Sequence, residues 1–314
     1  MILHRSDHAA MIRALRSASP YIRLYKGKTF VVKAGGAVFG DTAMTRALIE
    51  QIAILHYLGV RVVMVHGGGP QTTEIADALG VSTRMVEGRR VTDQKSVDVT
   101  AMVLNGLINT RILGICRELN IDAVGISGVD AGLVLAHKRP PVKLSSTGEV
   151  VDYGFVGDID LVDTTVIRKL LDNGLMPVIS PLSADDKGTL LNINADTVAA
   201  AIGATLGAEK LVLCTGAPGI LGDVNDAGSL ISYTDLQGLK RMKDEGRILD
   251  GMLPKVKAIE DAIRGGVRRV HVVSYKAPEG ILGEVFTNEG TGTLIVPDVN
   301  ALTAAEQQAQ GGNG

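Results

Sequence analysis

The sequence predicts an α/β protein: a mostly parallel sheet with helices on both faces. Three observations carry this. Short β-branched runs alternate with segments whose apolar residues recur at helical spacing. Several of the runs are apolar at nearly every position, the pattern of strands buried on both faces. Glycine clusters close two early strands, where an open α/β sheet turns into its helices. The 314 residues allow about two domains, or one large domain with two lobes.

Residues 1–24 are expected to form an arm. Asp7 can cap a helix in which Met11, Ala14 and Leu15 share a face, and Pro20 is expected to end it. An N-terminal lobe spans 25–177. In it Thr29–Lys33 is a strand that stops at Gly35-Gly36, and 41–58 is a helix with Met44, Leu48, Ile52 and Leu55 on one stripe. Arg61–His66 is a doubly buried strand that runs into Gly67-Gly68-Gly69-Pro70, and a helix starts near Gln71. Residues 93–118 read as one long helix, with Val97, Ala101, Leu104, Ile108 and Ile112 on one side. Ala123–Ile126 is a strand. Residues 132–162 hold short β-runs, a Pro140-Pro141 break and a turn at Ser146-Thr147-Gly148, so they are placed at the rim. A C-terminal lobe spans 178–298, with the division near 175–180. Strands are expected at Met176–Ser180, Lys210–Cys214, Arg269–Ser274 and Thr293–Val296, and helices at 195–206, 234–245 and 252–265. The polar tail, 299–314, is expected to be disordered.

Composition excludes several classes. With 46% hydrophobic and 21% charged residues the chain can bury a core, which rules out wholesale disorder. Thirty-two basic against 34 acidic residues give a net charge of −2, and there is no Trp for stacking, so no nucleic-acid partner is expected. Cys116 and Cys214 alone cannot build a disulfide framework or a cysteine zinc site, and no metal site is expected. His4, Arg5, Asp7 and His8 stand where a signal peptide needs an apolar run. Ile52–Val65 is broken by His56, Gly59 and Arg61, so no segment approaches ~20 uncharged apolar residues and no membrane contact is expected. The expected location is cytoplasmic.

Glycine is the outlier, with 38 residues. Lys33-Ala-Gly-Gly36 and His66-Gly-Gly-Gly69 each end a strand and open a helix. Either could be a tight turn without a ligand. Two at the ends of neighbouring strands point to phosphate, because bare backbone N–H groups and a helix N-terminus both suit an anion. Neither is a G-x-x-x-x-G-K-[ST] or a G-x-G-x-x-G loop. Lys33 beside these glycines suits a phosphate contact. Lys255 and Asp196 each open a helix, where a solvated lysine and a dipole-complementing carboxylate are the plain alternatives.

Taken in order, Lys33-Ala-Gly-Gly36, His66-Gly-Gly-Gly-Pro-Gln71, Gly88-Arg-Arg-Val-Thr-Asp93, Leu191-Asn-Ile-Asn-Ala-Asp196 and Gly251-Met-Leu-Pro-Lys255 resemble the amino-acid kinase family over about Tyr21–Pro297. The resemblance implies a three-layer αβα sandwich of the carbamate kinase-like type, in two lobes. Arg90-Val-Thr favours the branch that passes the γ-phosphoryl of ATP to the side-chain carboxylate of N-acetylglutamate, in arginine biosynthesis. On that resemblance Lys33 and Lys255 approach the phosphoryl group from opposite sides and Asp196 holds both. Gly35, Gly36, Gly67 and Gly68 bind phosphate and reacting oxygens through their amides. Gly68, Gly69, Arg90 and Asn192 bind the acceptor, with Arg90 clamping its α-carboxylate. Thr215, Gly216, Gly219 and Leu221 border the nucleotide, and Mg2+ accompanies ATP through its phosphates. Thr215-Gly216 stands where the family usually has Thr-Asp, and Ser274-Tyr-Lys276 where it usually has Asp-Gly-Arg.

The N-terminal helix leading into Ser19-Pro-Tyr-Ile22, and Glu284-Val-Phe-Thr-Asn-Glu-Gly290 following His271, resemble the arginine-sensitive, hexameric members of that branch. Tyr21, His271, Glu284 and Gly290 are then the arginine-binding candidates, and a homo-oligomer, dimer or hexamer, is expected. Two alternatives stay open: a kinase for a related acylated acidic amino acid, such as N-succinylglutamate or an aminoadipate derivative, and a non-catalytic arginine-binding regulator.

Overall fold

The computed structural model describes residues 5–299, apart from positions 83, 88, 145, 146, 224, 227, 249, 288 and 289. The expected tail from 300 onward, Gly88 of the substrate motif and Ser146 of the rim turn lie outside the described residues. Helix α1 (Arg5–Tyr25) leads into β1 (Thr29–Ala34). Pro20 does not end α1 but sits inside it. A proline there removes one helical hydrogen bond. Tertiary packing holds the turn beyond it: Tyr25 is buried, stacks on Tyr21 at 6.3 Å and meets Phe30 edge-on at 5.2 Å.

A 3-10 turn (Gly36–Gly40) precedes α2 (Thr42–Tyr57), which Asp41 caps by accepting from the Met44 amide at 2.8 Å. After β2 (Arg61–His66), helix α3 (Gly69–Ala78) starts earlier than Gln71, with Gly68 as N-cap and Pro70 in its first turn. A short hairpin follows, β3 (Arg84–Val86) and β4 (Arg89–Val91). The long helix expected at 93–118 is present but not uniform: α4 (Gln94–Ala101), a π-helical segment (Met102–Ile108) and α5 (Asn109–Glu118). Gln94–Glu118 is long enough, and over part of its length apolar enough, to cross a membrane by length and composition alone. Its Val97, Val103, Leu104, Ile108, Ile112 and Cys116 are buried inside the fold, as in the core helix of a globular domain.

The chain continues through β5 (Ala123–Ser127), β6 (Val134–Lys138), β7 (Val142–Lys143), β8 (Val150–Val151), β9 (Gly157–Val162), α6 (Thr165–Asp172), β10 (Met176–Ser180), β11 (Leu182–Ala184) and β12 (Leu190–Asn192). Then come α7 (Ala195–Leu206), β13 (Lys210–Thr215), β14 (Tyr233–Asp235), α8 (Leu236–Asp244), α9 (Leu253–Arg264), β15 (Arg269–Ser274), α10 (Gly280–Phe286) and β16 (Thr293–Val296). The helix expected from 234 begins instead as strand β14, with Asp235 capping α8.

One eight-stranded sheet runs through both halves of the sequence, in the order β14-β16-β15-β13-β1-β2-β10-β5. All its pairings are parallel except β15 with β16. Because successive side chains alternate between faces, β1 divides its residues. Val31 packs among α6, α7, α8 and α9, while Phe30, Val32 and Ala34 pack among α2, the π segment, α5 and α10. These two cores are the interfaces between the central sheet and each helix layer of a three-layer αβα sandwich. A second, four-stranded sheet, β12-β11-β6-β9, borders the carboxyl end of the main one. β1 and β2 pair in register from Thr29↔Arg61 to Ala34↔His66, which puts both glycine clusters side by side at that end.

Candidate active site

The glycine clusters touch backbone to backbone. A Cβ on Gly36 would meet Gly68 Cα at 2.8 Å and Pro70 Cδ at 2.8 Å, and one on Gly68 would meet Ile108 Cδ1 at 2.4 Å. A side chain at Gly36 would run into backbone, and one at Gly68 would have to displace the ends of Ile108 and Leu104. Gly36 begins a 3-10 turn and Gly68 caps α3. Helical starts leave N–H groups without an intrahelical acceptor and add a favourable dipole for anions. Gly67 differs from the expectation: its N–H is donated to the Ala34 carbonyl at 2.8 Å, extending the β1–β2 ladder. In this structure that amide serves the sheet and is not free for a phosphate.

Around the clusters lies a cleft of about 240 Å³, lined among others by Lys33, Gly36, Gly68, Arg90, Asn192 and Asp196. Lys33 stands near the end of β1 on the face opposite Ala34, 7% exposed. Its Nζ forms an ion pair with Asp196 Oδ1 at 2.8 Å. Lys255 comes from the first turn of α9 and reaches the other oxygen, Oδ2, at 3.2 Å. The two lysines therefore share one buried carboxylate. Asp196 lies in the first turn of α7, where Asn194 caps by accepting from the Asp196 amide at 2.8 Å and from Thr197 at 3.4 Å. Burial raises the Asp196 pKa, but the charges of Lys33 and Lys255 outweigh it and hold the carboxyl below its usual range. Burial lowers that of Lys255, and Asp196 partly offsets this. Buried Lys33 and Asp196, with half-buried Lys255, sum to one positive charge and are poised for an anion.

Arg90 arrives on β4 and lines the cleft. Its guanidinium donates to Thr73 Oγ1 at 2.5 Å and to the Gly69 carbonyl at 3.3 Å, both on α3. Asn192 ends β12 and also lines the cleft. Gly69 and Gly67 also line the cleft. Thr215, Gly216, Gly219 and Leu221 lie beyond it, at and after the carboxyl end of β13, the neighbour of β1. The Thr215 hydroxyl closes a turn by accepting from Ala217 N at 3.2 Å and donating to Ala217 O at 2.9 Å. Gly219 owes its lack of a side chain to the protein: a Cβ there would meet Leu230 Cδ1 and Thr293 Oγ1, each at 2.6 Å. Gly216 faces the Tyr275 phenol, 3.3 Å from where its Cβ would be. Leu221 forms a β-bridge with Leu230.

Tyr21, His271, Glu284 and Gly290 also converge, but elsewhere. They gather around Lys210, which opens β13 and pairs in register with Phe30, on the sheet face opposite Lys33. Lys210 Nζ lies 2.9 Å from His271 Nε2 and 5.1 Å over the Tyr25 ring, which in turn stacks on Tyr21. His271 Nδ1 lies 2.7 Å from Glu284 Oε1. Glu284 Oε2 accepts from the amides of Thr291 at 2.7 Å and Gly292 at 2.9 Å. Gly290 has φ +65° and leaves room for that carboxylate, 2.8 Å from where its Cβ would be. Burial pushes Lys210 down to about 7 and His271 down to about 4. Burial also raises Glu284, yet its bonds to His271, Thr291 and Gly292 more than offset this and keep it low. Sequence reasoning missed Lys210 and Tyr25. Their only signal was a lysine opening an otherwise apolar strand.

For a nucleotide triphosphate, the lysine pair and the bare amides of Gly36 and Gly68 are a suitable cradle. For Mg2+ the donor set is thin: Asp196 is the one carboxylate among the cleft residues, and two lysines engage it. The fit is to a cation carried on phosphates and water rather than one held by protein ligands.

Fold and site thus define a kinase of the three-layer α/β class, with a lysine–aspartate–lysine centre over paired glycine loops. The chain belongs to the amino acid kinase family, whose model matches residues 28–274. It is 47% identical to an acetylglutamate kinase of Myxococcus xanthus over 287 residues, covering 90% of this chain and 93% of that protein. It is 40% identical to an acetylglutamate kinase of Archaeoglobus fulgidus, covering 91% and 99%. Among solved structures, the N-acetylglutamate synthase of Neisseria gonorrhoeae, complexed with coenzyme A and N-acetylglutamate, superposes with a TM-score of 0.79 at 26% identity. That match covers 92% of this chain and 64% of the synthase, so the chain spans less than two thirds of that protein. Carbamate kinase from Giardia lamblia, with a TM-score of 0.61 at 19% identity, shares the fold.

Proposed function

We propose that this protein phosphorylates the side-chain carboxylate of N-acetylglutamate with ATP, giving an acyl phosphate in arginine biosynthesis. The observation that carries this is the Lys33–Asp196–Lys255 centre beside the Gly36 and Gly68 amides, in a chain that matches acetylglutamate kinases along nearly its whole length. A carboxylate is already an anionic nucleophile at neutral pH, so no general base is needed. The protein must supply alignment and neutralise charge on the group in transfer. Lys33 and Lys255, held apart on the two oxygens of Asp196, supply positive charge. Gly36 and Gly68 supply amide donors at helical starts, and Gly35 lies beside them. ATP supplies the γ-phosphoryl group, with Mg2+ bound mainly through its phosphates. Thr215, Gly216 and Leu221, beyond β13, border the nucleotide in this reading, with the acceptor on the N-terminal side near Asn192 and Gly69.

Arg90 clamps the acceptor's α-carboxylate. Its tie to Thr73 fixes a planar fork that an ammonium cannot reproduce. Arg90→Lys is expected to raise KM for N-acetylglutamate about 10–100-fold, the equivalent of one hydrogen bond to a charged group. KM for ATP and kcat should change much less. Steady-state kinetics with each substrate varied checks this, and a rise confined to KM for ATP would move Arg90 out of the acceptor site.

Arginine acts as a feedback effector at the Tyr21–Lys210–His271–Glu284–Gly290 cluster. What supports this is a largely buried, charge-rich cluster on the sheet face opposite the transfer centre, joined to α1. The same helix exposes Met11, Ile12 and Leu15, each near half accessible, which suits a contact with another copy of the chain. Hydroxylamine trapping of acyl phosphate with MgATP tests the whole reading. N-acetylglutamate should give the most product, ahead of N-succinylglutamate and N-acetylaminoadipate, and arginine should suppress it sigmoidally. A better yield from another acceptor would reassign the substrate, no product from any would favour a non-catalytic regulator, and a flat response would remove arginine as effector.

A further inference from the structure

His66 closes β2, and no part of the transfer just described falls to it. Its ring is fully buried and meets Phe39 edge-on at 6.0 Å. Nδ1 lies 3.2 Å from the Gly67 carbonyl oxygen, and Nε2 lies 3.1 Å from Asn109 Nδ2. The same Asn109 nitrogen donates to the Val178 carbonyl of β10 at 3.0 Å. An amide nitrogen only donates. Its hydrogens are thus divided between Val178 and His66, so Nε2 must accept and Nδ1 must carry the proton. Burial, which pushes the ring's pKa down to about 4, keeps it neutral in that form. The Nδ1–H therefore donates to the Gly67 carbonyl.

This bond acts across one peptide unit. The carbonyl of Gly67 and the N–H of Gly68 belong to the same planar trans group and point in opposite directions. Holding the oxygen toward the buried ring aims the Gly68 N–H the other way, toward the cleft that Gly68 lines. Between two glycines this plane can turn over cheaply, because neither residue has a Cβ to oppose it. Both glycines are closely packed, Gly68 against Leu104 and Ile108 and Gly67 against Gly36 N. Rigidity has to come from outside the loop. The π segment that presses on Gly68 leads directly into Asn109, and Ser180 of β10 donates to its Asn105, so both asparagines tie this stretch to the sheet.

We propose that His66 is a positioning residue: oriented by Asn109, its Nδ1–H locks the Gly67–Gly68 peptide so that the Gly68 amide donates to charge developing on the transferred phosphoryl group. This rests on the acetylglutamate-phosphorylating reading above. His66→Leu removes the donor while keeping an apolar side chain. It is expected to lower kcat at least about tenfold, part of the 10²–10³ that one such donor supplies, with both KM values little changed. His66→Asn places an amide N–H where Nδ1 stood and should recover most of kcat, although it loses the ring's packing and melts at a lower temperature than His66→Leu. Activity that instead follows thermal stability across the two variants overturns the proposal. An independent readout needs no loss-of-donor variant to fold: ¹⁵N spectra of the histidine-labelled wild-type protein, assigned with His66→Asn. A neutral Nδ1–H tautomer at His66 is expected, and the Nε2–H tautomer overturns the assignment. If wild-type protein forms no acyl phosphate from N-acetylglutamate, the underlying reading fails. If wild type is active and His66→Leu keeps its full kcat, this inference alone fails.

Discussion

Lys33→Ala is expected to lower kcat for acyl-phosphate formation by about 10²–10³-fold, the range for removing one preorganised charge-stabilising group from a transfer site. KM for ATP and for N-acetylglutamate should move far less. The ammonium lies 2.8 Å from Asp196 and beside bare glycine amides, in a cleft where little water screens it. An interaction made mainly in the transition state appears in kcat and in kcat/KM together. Asp196 keeps Lys255 in the variant, so the fold should survive, and far-UV circular dichroism and melting would verify that. Turnover near that of the wild type would remove Lys33 from the transfer step.

Asp196→Asn should have a larger combined effect, because it acts on both lysines at once. The carboxylate is all that stands between the buried Lys33 ammonium and the half-buried Lys255 ammonium, 2.8 and 3.2 Å away. Breaking a buried ion pair by removing one partner costs about 3–5 kcal/mol. The variant should therefore lose kcat as Lys33→Ala does and also unfold at lower denaturant. The pH dependence separates this from a simple packing loss. Asp196 has its folded-state pKa held below its unfolded value of about 3.9. Its stabilisation is fully present above the unfolded value and is lost as pH falls through the folded one. The stability gap between wild type and Asp196→Asn should be widest near neutral pH and should shrink on acidification. Urea unfolding of both proteins at several pH values measures it, and a gap that stays constant would place the stabilisation outside this ion pair.

Much of the fold was legible because its strands are buried on both faces and its glycines sit at strand ends. β1, β2, β10, β13 and β15 fall where the apolar runs predict them. The exceptions share a cause: tertiary contacts decided the local structure. Pro20 is carried within α1 because Tyr21 and Tyr25 dock beyond it. The β3–β4 hairpin is short, and Arg84 and Met85 are exposed, so it leaves no alternating pattern, yet it carries Arg90 to the cleft. Lys210 looks from sequence like a lysine at a strand edge, and only the fold shows it buried against His271. Lys33, Asp196 and Lys255 could be singled out only through the resemblance to amino-acid kinases, and the structure adds that the two lysines share one carboxylate. The use of the Gly67 amide by Ala34 could not be read from sequence, because it depends on how far the ladder between β1 and β2 extends.

The contact between Gly36 and Gly68 bears on how such a site can change over evolutionary time. Where two backbones meet with no side chain between them, the floor of the cleft has a width that no substitution can trim and few can tolerate enlarging. In the proposed function, adaptation to a longer or shorter acceptor then has to occur elsewhere in the cleft lining, at Thr100, Asn192 and the hairpin that bears Arg90. On the proposed reading, the half that would handle phosphate is in this sense a fixed datum, and the half that would hold the acceptor is the adjustable jaw.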